Sequence, residues 1–434
     1  RKKMKGAASA METPRVVIIG AGFGGLQAAK RLAKLPVNLT LIDRNNHHTF
    51  QPLLYQVAST LLSPAQIATP LRTIFRENKN VDVVLAEVTS IDVNARQVRA
   101  AGVEFTYDYL IVAAGARHSY FGHDGWEENA PGLKTIDDAL QLRQRILLAI
   151  ENSELEAVAR KQRAAGAPDS EAAPLNFVVI GGGPTGVEVA GMLASLTHIV
   201  MREDFRGIDP RRIRVVLLEA GNRVLSAFSE GLSRSAQEQL SRLGVEVRTS
   251  CRATEVGPGF VQLDGAILPS AVTIWATGVA ASPLARFLSK DLDRVGRVPV
   301  AADLTLAGQR NVFVIGDLAA AKSSDGATFP GLASVAHQQG AAVATYIEND
   351  LKGIPRAAFV YRDRGLMATI GRRAAVAEWR KLHISGTIAW LLWAFVHAML
   401  LLDLRSRTSV LREWAWSLLT RRTSAPLITG LRSS

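Results

Sequence analysis

Two clusters of glycines in the sequence have the spacing that binds the phosphates of a dinucleotide. The first, Gly20-x-Gly22-x-x-Gly25, follows the apolar run "RVVII" and precedes a helical pattern. Glycines at this spacing allow a tight turn, close approach of the backbone to a pyrophosphate, and close packing of helix on strand. The phosphates then lie at the helix N-terminus, where free N–H groups favour an anion. Asp43 ends the next apolar strand and can accept hydrogen bonds from an adenosine ribose.

The second cluster, Gly181-x-Gly183-x-x-Gly186, stands in the same context about 160 residues later. Glu219 ends the strand that follows it and is the expected ribose-binding acid. An acid at this position repels a 2′-phosphate, so we expect NADH to be preferred over NADPH. Arg223 lies four residues further on and is the residue that would favour NADPH instead.

Two fingerprints indicate two bound dinucleotides. If one is a nicotinamide nucleotide, the other is most simply FAD, and Gly316-Asp317 at the end of a later strand supports this interpretation. An aspartate in that place can hydrogen-bond the ribityl chain of a flavin. The sequence therefore predicts an α/β protein with two Rossmann-like dinucleotide-binding domains and a C-terminal helical segment that anchors the chain to a membrane.

The order of the motifs sets the expected domain boundaries. We predict an FAD-binding domain in two parts, 14–130 and 290–355, an NADH-binding domain at 131–289, and a C-terminal membrane-association domain at 356–434.

The 434 residues include a single cysteine, Cys251. A redox disulfide needs two cysteines, so disulfide reductase and sulfide:quinone chemistry are both disfavoured. Cysteine and histidine ligands at metal-binding spacings are lacking, and we expect no metal centre. A chain without disulfides suits a reducing compartment. The N-terminal "RKKMKGAASAMET" lacks the apolar core of a secretory signal.

The chain resembles type II NADH dehydrogenase, the single-subunit NADH:quinone oxidoreductase, in four segments: "NNHHTFQPLLYQVAS" (45–59), "GPTGVEVAG" (183–191), "ASVAHQQG" (333–340) and "IAWLLWAFVHAMLLL" (388–402). This family belongs to the flavoproteins with two dinucleotide-binding domains. The resemblance implies hydride transfer from NADH to non-covalently bound FAD, followed by transfer of two electrons to a membrane quinone without proton pumping.

The resemblance also assigns roles to residues. It implies that Glu188 lies near the nicotinamide and the quinone side of the flavin, that Gln338 lies close to the quinone headgroup, and that His337 lies beside the flavin ring. Lys381 resembles the basic residue that precedes the membrane segment in this family. Besides the residues of the two fingerprints, the predicted cofactor-binding positions are Phe23, Gly24, Arg44, Gln56, Val88, Ala114, Gly115, Thr185, Gly278, Asp317, Ser334 and Ala336. At Ser334 many relatives have a glutamine.

The C-terminal segment carries most of the excess positive charge. Of the formal net charge of +12, residues 352–434 contribute +10. Between Lys381 and Asp403 lie 21 residues without a formal charge, and arginines flank them on both sides. This pattern favours an anionic membrane surface over nucleic acid. We expect a monotopic anchor with Trp390, Trp393, Trp414 and Trp416 at headgroup depth; a spanning helix and a buried dimer interface are the alternatives.

Together these features predict a peripheral enzyme on the cytoplasmic face of a bacterial inner membrane, with NADH, a membrane quinone and the bilayer surface as partners and a homodimer as an open alternative. Two rival functions remain at this stage. A soluble NADH-dependent ferredoxin reductase explains the first 350 residues but not the apolar, basic remainder. A membrane-bound redox sensor that binds both nucleotides without turnover also fits the motifs.

Overall fold

The computed structural model describes residues 13–162, 175–197, 204–420 and 426–428. The N-terminal segment 1–12 lies outside them. The helices of the described residues are α1 (Phe23–Leu32), α2 (Leu54–Ala58), α3 (Pro64–Ile67), α4 (Leu71–Ile74), α5 (Ile136–Gln162), α6 (Pro184–Ser195), α7 (Glu230–Arg242), α8 (Ala333–Leu351), α9 (Gly386–Leu400) and α10 (Leu404–Thr420).

The described strands are β1 (Arg15–Ile19), β2 (Asn38–Asp43), β3 (His47–Thr49), β4 (Ala68–Pro70), β5 (Val81–Leu85), β6 (Val88–Asp92), β7 (Gln97–Ala100), β8 (Val103–Thr106), β9 (Tyr109–Val112), β10 (Ala116–His118), β11 (Leu175–Ile180), β12 (Ile213–Leu218), β13 (Val245–Arg248), β14 (Glu255–Gly257), β15 (Phe260–Leu263), β16 (Ala266–Pro269), β17 (Val272–Trp275), β18 (Val279–Ala281), β19 (Val298–Pro299), β20 (Thr305–Leu306), β21 (Gln309–Val314), β22 (Ala319–Ala320), β23 (Leu366–Gly371), β24 (Ala374–Trp379) and β25 (Leu382–Ser385).

The chain forms two compact units. The first comprises Arg1–His48, Thr69–Arg117 and Val279–Asp363, and the second comprises Thr49–Ala68, His118–Gly278 and Arg364–Ser434.

A six-stranded sheet is the centre of the first unit. Its strand order is β20-β21-β9-β1-β2-β5, and all neighbours are parallel except β20 and β21. The β-branched run Val16–Ile19 is almost fully buried in β1, as expected for a strand covered on both faces. Helix α1 then packs on α8 at close range, because a Cβ on Gly340 would lie 2.0 Å from the carbonyl oxygen of Gly24.

The second unit repeats this arrangement with a four-stranded parallel sheet. Its order is β13-β12-β11-β17, so the central strand β11 has the place that β1 has in the first unit. Each central strand runs into a glycine turn and a helix, α1 or α6. The internal duplication predicted from the sequence is therefore confirmed, and the carboxyl ends of the central strands carry the two fingerprints.

The second unit also holds an antiparallel sheet, β23-β24-β25, and the C-terminal helices. Helix α6 packs on β23, and the contact requires a glycine because a Cβ on Gly191 would lie 1.5 Å from the carbonyl oxygen of Ile370. Helix α9 packs on β24. The uncharged stretch that follows Lys381 is divided, since its first residues form β25 and only the next 15 form α9. No helix in the described ranges is both long enough and apolar enough to cross a bilayer.

Candidate functional site

The first glycine turn has the geometry that a pyrophosphate requires. Gly20 has φ +94°, and a Cβ there would lie 2.5 Å from the carbonyl oxygen of Ala113. A Cβ on Gly25 would lie 1.8 Å from the carbonyl oxygen of Gly20. Gly22, which precedes α1, has no atom within 4 Å of its Cβ position, and no side chain caps the helix. The turn therefore leaves an open space at the N-terminus of α1, which fits the phosphates of a dinucleotide.

Asp43 is fixed beside this turn. Its Oδ2 accepts a hydrogen bond from the backbone N–H of Ala21 at 2.6 Å, and its Oδ1 accepts one from Asn45 at 2.7 Å. The carboxylate is thus held at the edge of the turn, where the sequence predicts a ribose.

His48 supports the same turn, and the sequence reasoning missed it. Its Nδ1 lies 2.8 Å from the carbonyl oxygen of Ala21, and its ring meets that of Phe23 edge-on at 5.3 Å. A carbonyl only accepts, so Nδ1 carries the hydrogen. Burial lowers the pKa of His48, which favours the neutral ring. The only local signal was the histidine pair in "NNHHTF".

The other flavin-binding positions predicted in the first unit are spread over its strand ends. Ala114 and Gly115 follow β9, with φ +64° at Gly115. Val88 is buried at the start of β6, whereas Arg44 is exposed after β2. Asp317 lies in a short 3-10 turn, Gly316–Leu318, directly after β21. The N–H of Gly316 donates to Gln339 Oε1 at 2.7 Å, which ties this turn to α8.

The start of α8 carries four predicted residues, Ser334, Ala336, His337 and Gln338. The carbonyl oxygen of Ala336 faces α1, since a Cβ on Gly24 would lie 3.0 Å from it. Ser334 Oγ lies 2.9 Å from the hydroxyl of Tyr361. Gln338 exchanges two hydrogen bonds with the backbone of Arg362, donating at 2.9 Å and accepting at 3.0 Å. His337, which directly precedes Gln338, is half-buried. Gln338 therefore holds the segment after α8 in place, in addition to any contact with a ligand.

The second glycine turn has the same backbone geometry as the first. Gly181 has φ +112°, and a Cβ on Gly186 would lie 1.7 Å from the carbonyl oxygen of Gly181. Gly183 again has open space at its Cβ position and precedes α6. Thr185 lies exposed in the first turn of that helix. The same anion-binding geometry is therefore present in both units.

Glu219 has the position in this unit that Asp43 has in the other. Its Oε2 accepts from the N–H of Gly182 and its Oε1 from that of Gly221, both at 2.6 Å. Arg223 instead donates to the carbonyl oxygens of Phe228 and Ser226 at 2.8 and 2.9 Å. Its guanidinium is thus engaged in its own loop, which favours the ribose acid as the determinant of nucleotide choice.

Gly278 lies at the exit of the strand that ends at Trp275. It has φ +68°, and a Cβ there would lie 2.3 Å from the carbonyl oxygen of Ser119 and 2.9 Å from the ring of Phe121. Only glycine fits this close approach of two loops.

Gln56 is buried in the second unit with both ends of its amide occupied. Its Nε2 donates to the hydroxyl of Tyr55 at 2.8 Å, and its Oε1 accepts from the indole N–H of Trp414 at 2.7 Å. Burial and the nearby charge of Glu188 raise the pKa of Tyr55 well above its usual value. The sequence reasoning missed Tyr55 and Trp414 as members of this cluster.

Glu188 lies on α6, five residues after Gly183. Burial raises the pKa of this carboxyl group to about 8, against a hydrogen bond from the backbone of Thr369 that lowers it. The cause is desolvation, which disfavours the charged form. The group is therefore largely protonated at neutral pH and can donate a proton.

A small, partly open cavity with a volume of about 40 Å³ lies beside this cluster, within the second unit. Its walls come from α2, α6, β23, α9 and α10, and they include Tyr55, Met192, Thr369, Trp393 and Trp414. Ser59 Oγ and Trp393 Nε1 are buried in these walls without a hydrogen-bond partner in the protein. The cavity is thus mostly apolar with a few unsatisfied polar groups, which is typical of a small-molecule site.

The tryptophans of the C-terminal helices require a correction. Trp393 and Trp414 are 1% and 4% exposed, and their rings lie 5.2 Å apart inside the unit. The prediction that both lie at headgroup depth is wrong, because the inward faces of α9 and α10 pack on each other and on α2 and β24. Trp416 is 53% exposed, and Trp390 is half-buried.

The outward side of α9 is apolar. Ile388, Leu391, Phe395 and Met399 are each at least half exposed, at helical spacing. On α10, Leu411, Trp416 and Leu419 are exposed beside Arg405 and Arg412. An apolar surface of this kind, rimmed by arginine, is typical of a site that contacts a partner or a lipid surface.

Comparison with known proteins agrees with this geometry. The sequence profile of the pyridine nucleotide-disulphide oxidoreductase family matches residues 14–340. Two proteins of Mycobacterium tuberculosis, the type II NADH:quinone oxidoreductases Ndh and NdhA, are 42% and 43% identical to this chain; the matches cover 96% of the chain and 90% and 89% of those proteins. The structure of NDH2 from Plasmodium falciparum in complex with NADH superimposes with a TM-score of 0.83 at 20% identity, over 94% of this chain and 99% of that one.

The chain therefore belongs to the pyridine nucleotide-disulphide oxidoreductases and, among them, to the type II NADH:quinone oxidoreductases.

Proposed function

We propose that this protein is an FAD-dependent NADH:quinone oxidoreductase that does not pump protons. The overall reaction is NADH + H⁺ + quinone → NAD⁺ + quinol. One observation carries the proposal: the relatives named for this activity match 96% of the chain, including the C-terminal segment that a soluble reductase would not need. The duplicated fingerprints and the cavity beside Glu188 support it.

The second unit binds NADH. The open space before Gly183 accepts the pyrophosphate at the N-terminus of α6, and Glu219 accepts hydrogen bonds from the adenosine ribose. Gly278 and Thr185 contribute backbone and side-chain contacts. These residues fix the position of the nicotinamide, and alignment with exclusion of water is what the protein supplies to a hydride transfer.

The first glycine turn holds the FAD, whose phosphates fit the open space before Gly22. The domain at 14–130 and 290–355 supplies most of the contacts, and 131–289 supplies the NADH site. When bound, the flavin accepts a hydride from NADH and passes two electrons to the quinone. The residues proposed to hold it are Gly20, Gly22, Phe23, Gly24, Gly25, Asp43, Arg44, Gln56, Val88, Ala114, Gly115, Asp317, Ser334 and Ala336.

The open side of the cavity in the second unit is the proposed position of the quinone headgroup. Glu188 is protonated at neutral pH and lies beside the Tyr55 and Thr369 wall, so it holds a proton that quinol formation requires. His337 and Gln338 of α8 are the candidate catalytic residues that the first unit contributes.

The exposed apolar side of α9 and α10 rests on a bilayer as a monotopic anchor. Ile388, Leu391 and Phe395 enter the acyl region, and Arg405 and Arg412 meet anionic headgroups. This docking suits the cytoplasmic face of a bacterial inner membrane, where NADH and a lipid-dissolved quinone are both available, and leaves room for a homodimer.

Steady-state turnover tests the proposed function. Purified protein in detergent should oxidise NADH much faster with a short-chain quinone than with oxygen alone or with a ferredoxin. If the rate of NADH oxidation were the same with and without quinone, and the ferredoxin were reduced fast, the electron acceptor would be a protein and not a quinone.

A further inference from the structure

The indole of Trp414 begins a hydrogen-bond chain whose direction is fixed by chemistry. An indole N–H can donate but cannot accept. The atom of Gln56 that lies 2.7 Å away is therefore the amide oxygen, and the amide nitrogen must point the other way. Trp414 thus decides the orientation of an amide that is symmetric in shape but not in hydrogen bonding.

The orientation of Gln56 in turn decides the role of Tyr55. The Gln56 NH₂ group only donates, and it lies 2.8 Å from the Tyr55 hydroxyl oxygen. That oxygen accepts, so the phenolic hydrogen is free to point away from Gln56. The Thr369 hydroxyl lies beside that of Tyr55 and donates to the carbonyl oxygens of Gly371 and Ala374 at 3.4 and 3.3 Å, so its oxygen can accept from Tyr55. The backbone N–H of Thr369 donates to Glu188.

Bulk water has little access to these bonds. Trp414, Gln56, Tyr55 and Thr369 are all 4% exposed or less. A buried chain of hydrogen bonds keeps one direction, because reversing one amide would leave two donors facing each other at Trp414 and cost the desolvation of both. The chain runs from α10, the last described helix, to the wall of the cavity.

We infer that Trp414 is a positioning residue for the proton-coupled reduction of the quinone. Through Gln56 its N–H directs the Tyr55 hydroxyl hydrogen towards Thr369, which lines the same cavity. The inference rests on the proposed function, since it names a residue that prepares the site for the quinone. The C-terminal helix then has a second role besides contact with lipid.

The substitutions Trp414→Phe and Gln56→Met test the chain. The first removes the N–H and keeps an aromatic ring, and the second removes the amide at similar volume. Each should lower kcat with a short-chain quinone roughly tenfold, the effect of one net hydrogen bond. In Trp414→Phe the quinone KM and the rate of flavin reduction by NADH should stay within twofold. Because Gln56 is also a proposed flavin contact, Gln56→Met is compared by its kcat alone, at full flavin content. The double variant should lose no more than either single variant, because both cut the same chain.

Trp379→Phe is the matched control, because Trp379 is 50% exposed on β24 and takes no part in the hydrogen-bond chain from Trp414 to Tyr55. It should keep wild-type kcat. Wild-type kcat in Trp414→Phe or Gln56→Met, or additive losses accompanied by a lower Tm, would overturn the inference and leave the proposed function intact. Absence of quinone turnover in the wild type would overturn the proposed function itself. If Trp414→Phe does not fold, Gln56→Met decides alone.

Discussion

The Glu219 carboxylate accepts a 2.6 Å hydrogen bond from the backbone N–H of Gly182, and Asp43 accepts one of the same length from Ala21 in the other unit. In both units a second oxygen of the acid binds the N–H two residues further along the chain. Two separate parts of the sequence thus build the same anion- and ribose-binding geometry. This repeated geometry is what the proposed binding of two dinucleotides by one chain requires.

Glu219 should set the choice of nicotinamide nucleotide. Glu219→Gln removes the charge that repels a 2′-phosphate and weakens the bond to the ribose. The KM for NADH should rise about tenfold, and the preference for NADH over NADPH should shrink. Steady-state kinetics with both nucleotides measure this, and an unchanged preference would show that another residue reads the ribose.

The first glycine turn allows a comparison between two alanine variants. Gly25→Ala places a Cβ 1.8 Å from the Gly20 carbonyl oxygen, so the free energy of unfolding should fall by about 3 kcal/mol. Gly22→Ala places a Cβ in open space, so stability should be kept while flavin retention is lost. Denaturation curves and the flavin absorbance of the purified proteins separate these effects. A stable Gly25→Ala variant would contradict the account.

Glu188 should give the protein a pH-dependent stability. Its pKa is raised from 4.5 to about 8, so the folded state binds the proton more tightly than the unfolded state does. This contribution is complete below pH 4.5, declines as the pH rises, and is gone above about pH 8. Thermal melts at several pH values should show that Glu188→Gln lacks this decline. If Tm fell with pH equally in the wild type and in Glu188→Gln, another group would be responsible for the decline.

Arg143 should stabilise helix α2, which carries Tyr55 and Gln56, and the loop that follows it. Its guanidinium is buried and donates to the carbonyl oxygens of Val57 and Leu62 at 2.5 to 2.8 Å. Arg143→Met removes the donor to the Leu62 carbonyl and leaves the Val57 carbonyl with the 3.3 Å hydrogen bond from the Thr60 N–H. The free energy of unfolding should therefore fall by about 3 kcal/mol, and Arg143→Lys should restore part of it. Chemical denaturation measures both. A loss below 1 kcal/mol for Arg143→Met would mean that water replaces the guanidinium.

The outward side of α9 should determine membrane binding. Replacing Ile388, Leu391 and Phe395 by serine removes exposed apolar surface without touching the core. Binding to anionic vesicles should fall at least about tenfold. Ile267→Ser is the control, because this residue is 65% exposed on β16. Vesicle flotation shows the difference, and unchanged binding of the triple variant would remove α9 from the anchor.

The fingerprints could be predicted from the sequence because they are local. Gly20, Gly25 and Asp43 are constrained by neighbours within about 25 residues along the chain, except for the contact with Ala113. The fold class followed from the same motifs, since each needs a parallel strand and a helix.

The cluster around Gln56 could not be predicted in the same way. Trp414 is 358 positions away, and no local pattern indicates the hydrogen bond. The sequence also could not show which apolar residues of α9 and α10 face the protein and which face outward, because burial in protein and burial in lipid select the same residue types. Only tertiary packing shows that Trp393 faces inward while Phe395 is 65% exposed.

An anaerobic half-reaction experiment tests the central claim most directly. One equivalent of NADH is added to the flavin-loaded protein, and a short-chain quinone is added after the flavin absorbance has bleached. We expect rapid return of the oxidised flavin spectrum with one quinol formed per NADH. A flavin that stays reduced in the presence of every quinone tested would contradict it.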